Sequence, residues 1–471
     1  MNKLIYAAGC VVIAAGLNAC RVGKEFSRPA TDMPAQYRGN TAAGTDSAGI
    51  AALPVHSFIK DAVLLQLIDS ALAKNFDVQI ALKNIETAGQ TLHNAKLGNL
   101  PELNLQVTAT RNWPSKNSLN GSLSEQFIGT RYMDDYSAGL NLTWEAIAWG
   151  KISHLKEAAL ADYLQTAEAA KAVRTRVVSQ VAQGYYNLLM LDTQKEIALR
   201  NVALTDSTLR IMRLQYSSGR ITNLAIEQTE AQLRVAQALV PQIEQQLTLQ
   251  ENALQTMAGA MPGTVARIHL QQVTVDTVAA AGVPAALLTH RPDIHAAELA
   301  VKAANARVGV AEASMYPALN ITAGVGVNSF KANNWFNIPG SLFETIGGSL
   351  TQPVFQRRKL RTDWEKAKID WQKSAIEFQR SVVTGVQEVS DALVKIEKLQ
   401  QQSVFTSQRV EKLKSATQNA TLLFQNGMAD YLEVITAQSN ALQSELDLAS
   451  LKRDQLSATV ELYRALGGGW K

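Results

Sequence analysis

Four stretches of the chain alternate apolar and polar residues with a period of two, the pattern of a strand with one apolar face. In the first, Leu103, Leu105, Val107 and Ala109 alternate with Asn104, Gln106, Thr108 and Thr110; in the second, Tyr136, Ala138, Leu140, Leu142 and Trp144 alternate with Ser137, Gly139, Asn141 and Thr143. The third sets Leu319, Ile321, Ala323, Val325 and Val327 against Asn320, Thr322, Gly324, Gly326 and Asn328; the fourth sets Ile346, Gly348 and Leu350 against Thr345, Gly347, Ser349 and Thr351. Each run has about ten residues, the length a tilted strand needs to cross a bilayer. A sheet packed on soluble helices would alternate as well, but here the strands come as two hairpins far apart in the chain. Four strands cannot close a membrane barrel, the smallest of which have about eight, so closure needs several copies; three chains would give twelve strands.

Most of the remainder has helical periodicity. From Ile152 to Tyr216 no proline interrupts the pattern, which predicts a rod of about 95 Å ending at Ser217-Ser218-Gly219. A returning helix from Ile221 to Met257 would span only about 55 Å, and a helix from Phe76 to Asn99, about 35 Å, would make up the difference if stacked end to end on it. The same three pieces recur at 293–315, 359–424 and 429–465. Frequent Ala, Ser and Gln between Leu and Val suit close antiparallel coiled-coil packing. Pro241 inside the returning helix predicts a kink or a joint there; its counterpart Ala449 is an ordinary helix former.

These recurrences are an internal duplication. Asp77, Ala81, Ala88, Ala95, Pro101, Leu103 and Asn104 match Asp293, Ala297, Ala304, Ala311, Pro317, Leu319 and Asn320 at a constant offset of 216, whereas Leu142-Thr143, Gly219, Leu224 and Gly259 match Leu350-Thr351, Gly427, Leu432 and Gly467 at 208. The eight extra residues of the first copy therefore fall between about 105 and 140. Stretches that tolerate no insertion behave as packed rods of matched length; the one that does behaves as a surface loop.

Composition adds the compartment. The chain has 471 residues, 46% of them hydrophobic and 18% charged, and its net charge of +4 comes from interspersed acids and bases; no nucleic-acid partner is expected. Met1-Asn2-Lys3 is a short basic start, Leu4 to Leu17 an apolar run of signal-peptide length, and Leu17-Asn18-Ala19-Cys20 looks like a lipobox that would leave Cys20 acylated. Asn18 departs from the usual small residue, and the alternative is an ordinary secretory signal with a chance cysteine. With Cys10 removed and Cys20 blocked by lipid, the mature chain would hold no free thiol and no disulfide. Arg21, unlike the aspartate that resembles an inner-membrane retention signal, favours the outer membrane.

The expected organisation is thus a signal peptide at 1–19, a lipid-anchored extended tether at 20–57 and a first structural repeat at 58–260, with its hairpin near 102–145 and its helical tip near 219. An equatorial connector at 261–290, a second repeat at 291–468 with its hairpin near 318–354 and tip near 427, and a tail at 469–471 complete it. The fold class is mixed α+β, mostly α. No phosphate loop, His-Glu-x-x-His, paired cysteine ligands or nucleophile elbow occurs, so neither an enzyme nor a metal or other cofactor is expected. His290 and His295, five apart beside Pro292, are poorly placed as a metal pair.

These features together resemble the TolC-like outer membrane factor family, and within it the lipoprotein branch typified by OprM and NodT. The resemblance covers the lipobox, the proline-bearing tether, the duplicated strand and helix-hairpin units, Leu288-Thr289-His290-Arg291-Pro292-Asp293-Ile294 against the family's L-x-x-R-P-D-I, and the ending Ala465-Leu466-Gly467-Gly468-Gly469-Trp470. It implies a homotrimer with a twelve-stranded barrel in the outer membrane, continuous with a twelve-helix periplasmic tube. It also implies an exit duct for drugs or metal ions, driven by an inner-membrane pump of the RND type through a periplasmic adaptor. By the same likeness Gly219 and Gly427, with Arg220 and Met428, would be tips that meet the adaptor, although plain helix-reversing glycines fit equally. Asp430 and Glu433, three apart on one helical face, would face the lumen as a gate; the further family aspartate is here Thr436. A type I protein-secretion duct shares this architecture, and a pore-free lipid-anchored scaffold would explain the helices but not the membrane-length strands.

Overall fold

The computed structural model describes residues 22–38, 53–123, 126, 129–147, 149–274 and 284–470. The leader, the acylation candidate Cys20 and the middle of the expected connector lie outside the described residues. The long elements in chain order are α1 (Ala62–Lys74), α2 (Phe76–Leu97), β1 (Glu102–Asn112), β2 (Met133–Ile147), α3 (Lys151–Ser217), α4 (Asn223–Met257), α5 (Pro292–Ala313), β3 (Ala318–Ser329), β4 (Leu342–Thr351), α6 (Lys359–Gln425) and α7 (Tyr431–Ala465). The duplication is exact in the helices: α2 and α5 both have 22 residues, α3 and α6 both 67, α4 and α7 both 35. The strand connections differ, 113–132 against 330–341, the longer by the eight residues that separate the two sequence offsets. Pro241 lies within one uninterrupted α4, so it marks no joint.

The chain divides into two compact units. One comprises Met1–Arg28, Thr87–Leu164 and Glu298–Ile376 and holds the sheet. Its four strands are antiparallel in the order β1-β2-β3-β4. The register gathers the apolar positions into rows: Leu103, Leu142, Ala323 and Ile346 in one, Val107, Ala138, Val327 and Leu342 in another. That face is open, with Leu105 72% and Ile346 90% exposed. The opposite face carries rows such as Asn104, Asn141, Gly324 and Thr345, and Asn141 Nδ2 donates to Gln106 Oε1 across it. Alternation reverses at the start of β4: Glu344 pairs with Val325 on the apolar face, while Phe343 pairs with Gly326 on the other. The Phe343 ring occupies the space that side chains at Gly139 and Gly326 would fill.

The other unit comprises Pro29–Glu86, Gln165–Ala297 and Glu377–Lys471. Its core is made by Tyr185, Leu188 and Leu189 of α3, Leu254 of α4, Phe378 of α6 and Leu462 and Tyr463 of α7, all essentially inaccessible. Asn75 caps α2, its Oδ1 accepting from Asp77 and Val78 amides, while its Nδ2 donates to the Met257 carbonyl at the end of α4. The end-to-end meeting of these two helices is therefore a side-chain hydrogen bond. In the second copy Arg291 donates to the Ala465 carbonyl at the end of α7. Among the described residues no helix is long and apolar enough to cross a membrane.

Candidate functional site

The two helical hairpins α3–α4 and α6–α7 turn in the same way. At the first turn the Gly219 amide donates to the Tyr216 carbonyl and the Arg220 amide to the Gln215 carbonyl; at the second, Gly427 donates to Phe424 and Met428 to Leu423. This is a Schellman cap, which needs a left-handed residue at its bend, and Gly219 and Gly427 have φ of +73° and +74°. Nothing lies within 4 Å of a side chain built at either glycine, so the backbone conformation alone demands glycine there. Arg220 and Met428 are exposed beside them.

Just behind the turns the two hairpins are fastened to each other. Met212, Phe424 and Val434 form a buried apolar cluster with Ile211, Ile221, Ala420, Ala429 and Tyr431 around it. The Tyr431 hydroxyl donates to Gln228 Oε1 at 2.7 Å, tying α7 to α4. Gln438 Nε2 donates to the Thr208 hydroxyl at 2.9 Å, a buried tie between α7 and α3, and Gln215 Nε2 reaches the Phe424 carbonyl. On the outside, Arg213 pairs with Glu230 at 2.6 Å.

Asp430 stands at the N-cap of α7 but makes no capping bond with its carboxylate, and Glu433 lies in the first turn. Both are exposed. Glu433 shares a shallow groove between α6 and α7 with Leu413, Ala416, Leu432, Thr436, Ala437 and Asn440. Two carboxylates set at a helix N-terminus suit the positive end of its dipole.

The Arg-Pro-Asp stretch sits elsewhere, within the packed unit. Arg291, only 4% exposed, donates Nε and Nη2 to the Asp293 carboxylate and Nη1 to Glu388 as well as to the Ala465 carbonyl. Arg464 holds the other oxygen of Glu388. Burial pushes the Asp293 carboxyl up, but the hydrogen bonds and charge of Arg291 outweigh it and hold the group below the usual carboxylate range.

A chain that carries both an open apolar sheet face and paired helical hairpins has a plan shared with known proteins. The sequence matches the outer membrane efflux protein family over residues 67–260 and 283–468. The chain belongs to that family. It is 30% identical over 462 residues to the solvent efflux pump outer membrane protein SrpC of Pseudomonas putida, covering 96% of each chain. It is 28% identical over 471 residues to the cation efflux system protein CusC of Escherichia coli K12, covering 98% of each. Among solved structures, CusC superimposes with a TM-score of 0.82 at 25% identity, covering 96% of this chain and 100% of that one. The open-state MtrE outer membrane channel of Neisseria gonorrhoeae gives 0.83 at 24% identity, covering 96% and 99%.

This efflux protein is therefore an outer-membrane exit channel, mostly helical, with four strands per chain to give to a trimeric barrel. Members of the family work with a periplasmic adaptor and an inner-membrane pump. Of the residues singled out from the sequence, the channel places Gly219 with Arg220 and Gly427 with Met428 in equivalent turns, and Glu433 with Thr436 in one groove. Sequence reading missed Tyr431 with Gln228, and Thr208 with Gln438, whose partners lie far apart in the chain. The aromatic Tyr431 one residue after Asp430 was the available signal.

Proposed function

We propose that this channel passively conducts small molecules or metal ions, handed over by an RND-type pump and an adaptor that meets the turns at Gly219–Arg220 and Gly427–Met428. The relatives named for solvent and cation efflux support this range of cargo. Asp430 and Glu433 serve as the gate: three copies at the narrow end would bring six carboxylates together, which favour cations and repel one another. Carboxylates that repel require a latch, and the observation that carries the reading is the tie of Tyr431 to Gln228 next to Asp430. The closed tip is held by that bond and by the Met212–Phe424–Val434 cluster, and the adaptor opens it by engaging the turns. Cys20 carries the lipid that fixes the chain to the outer membrane.

The test is accumulation of dyes, several antibiotics, and copper and silver ions in a strain lacking the gene, with complementation by wild type and by Cys20→Ser. Accumulation that rises in the deletion and returns to normal with the wild type is the expected result and identifies the substrate class. Unaltered accumulation of every compound, in a strain without a second duct, would transfer the channel to protein secretion.

A further inference from the structure

Residues 22–28 form a strap laid along α5. Arg28 donates Nε and Nη2 to the two carboxylate oxygens of Glu298, both at 2.7 Å. Asn305 Nδ2 donates to the Lys24 carbonyl at 3.0 Å, and Gly23 lies so near Gly309 that a side chain on Gly23 would stand 3.4 Å from the Gly309 Cα. Glu298, Asn305 and Gly309 follow one another at seven and four residues, a single stripe of the helix, and the strap runs antiparallel to it. Eleven helical residues cover about 16 Å and five extended strap residues about 17 Å, so the strap spans its ties without slack.

The strap begins in a notch. The His154 ring, with its side chain only 3% exposed, faces both glycines: a Cβ on Gly309 would stand 2.7 Å from it and one on Gly23 2.9 Å from Nε2. His154 Nε2 meets the Val22 carbonyl at 2.6 Å, and Nδ1 faces the Glu157 carboxylate at 3.4 Å. The Val22 amide donates to the Trp149 carbonyl. Gly23, at φ +116°, has a conformation only glycine takes readily.

The duplication shows that this receiving surface is particular to one copy. The stripe Glu298, Asn305, Gly309 of α5 corresponds to Leu82, Gly89, His93 of α2, and His154 of α3 corresponds to Thr362 of α6. Helices that match residue for residue in length have kept none of these polar partners in common. We propose that the notch and stripe are a dock for the channel's own N-terminus, fixing the length of chain between the lipid on Cys20 and the barrel sheet. This rests on the reading of Cys20 as acylated.

Trp149 lies two positions past the end of β2 and its Nε1 donates to the Pro317 carbonyl just before β3, so the notch lies at the strand ends. Val22 is two residues from Cys20, about 7 Å of chain. The docked strap therefore delivers the acyl chains beside the end of the sheet, where the bilayer surface is. An undocked strap would leave about eight residues, roughly 27 Å of reach, between lipid and channel.

Trypsin reads the dock directly, because Arg21 and Lys24 are the strap's cleavage sites and Pro29 blocks cleavage after Arg28. Wild-type trimers and the variants His154→Ala, Gly309→Leu and Arg28→Gln are digested briefly and their N-terminal fragments weighed, with palmitate labelling in parallel. Cleavage after Lys24 should be about tenfold faster in the variants, the effect of losing one or two hydrogen bonds that hold a local segment closed. Palmitate incorporation should be unchanged, and His154→Gln, which keeps an N–H for Val22, should recover part of the protection. Arg28→Gln alters only the strap, so it reads the dock even where Gly309→Leu fails to assemble. Equal cleavage in wild type and all variants overturns the dock. Wild type without palmitate refutes the lipid reading and with it the anchoring role, while a difference in cleavage would still establish the strap.

Discussion

Asn75 and Arg291 occupy equivalent positions in the two copies, and each donates a hydrogen bond to the last carbonyl of the returning helix, Met257 in one case and Ala465 in the other. The same joint is made once by a neutral cap and once by a buried cation with two carboxylates. Asn75 satisfies the first amides of α2 directly. Arg291 leaves that to Asp293, which accepts from the Ile294 amide while binding the guanidinium. The Arg-Pro-Asp stretch is thus a helix joint.

The two joints should differ in sensitivity. Asn75→Ala removes one cap and should cost about 1–2 kcal/mol. Arg291→Ala strands Asp293 and the Ala465 carbonyl and leaves Glu388 to Arg464 alone, and should cost about 2–4 kcal/mol. Arg291→Lys should restore little, since an ammonium cannot match the forked contact. The temperature at which trimers dissociate on a gel ranks the three; Asn75→Ala falling below Arg291→Ala would contradict the comparison.

Acid should loosen the same joint. Asp293 is held below the ordinary carboxylate range, so its contribution is fully present above the unfolded value, about 4, and is lost as the pH falls through the lower folded value. Trimer stability in wild type should therefore drop below about pH 4. Asp293→Asn should begin lower at neutral pH and lose less on acidification, which thermal melts across the acid range would show.

Tyr431→Phe keeps the ring in its cluster and deletes only the donor to Gln228, a bond worth about 0.5–1.5 kcal/mol. A looser tip should follow, seen as raised single-channel conductance or entry of large antibiotics, with trimer stability almost unchanged. Gln228→Ala should do the same, and the double variant should add nothing. Leak equal to wild type in all three would dismiss this bond as a latch.

For the carboxylate gate the informative variant is Glu433→Ala, which should raise conductance or antibiotic leak. Unchanged values in both remove Glu433 from the gate.

The turn glycines separate capping from contact. Gly427→Asn tolerates the left-handed bend and meets no neighbour, so it should cost well under about 1 kcal/mol. If the adaptor touches this turn, Gly427→Asn should still impair efflux while trimers remain heat-stable. Normal efflux would leave Gly427 with its capping role alone.

The strands and long helices were legible because each carries a repeating pattern over many residues, and the eight-residue offset between the two copies located the variable loop. Individual contacts were not. Tyr431 and Gln228 are joined across 203 positions, and His154 and Val22 across 132, with no periodicity to announce either. Arg291 stood out as part of a string, yet its partners Glu388 and Ala465 lie in a different part of the chain. Phe343 and Glu344 reversed the alternation that identified β4, because the ring covers the space over Gly139 and Gly326.

The sheet ends on β1 and β4, and neither edge strand has a further partner among the described residues. A lone copy crossing the periplasm therefore exposes two rows of unmatched amides and carbonyls beside a face of Leu103, Leu105, Ile346 and Leu350, the combination that recruits any available strand. Assembly becomes a race against misassociation that rises with the concentration of unassembled chains, so overproduction should favour aggregates unless a holding chaperone keeps those edges occupied.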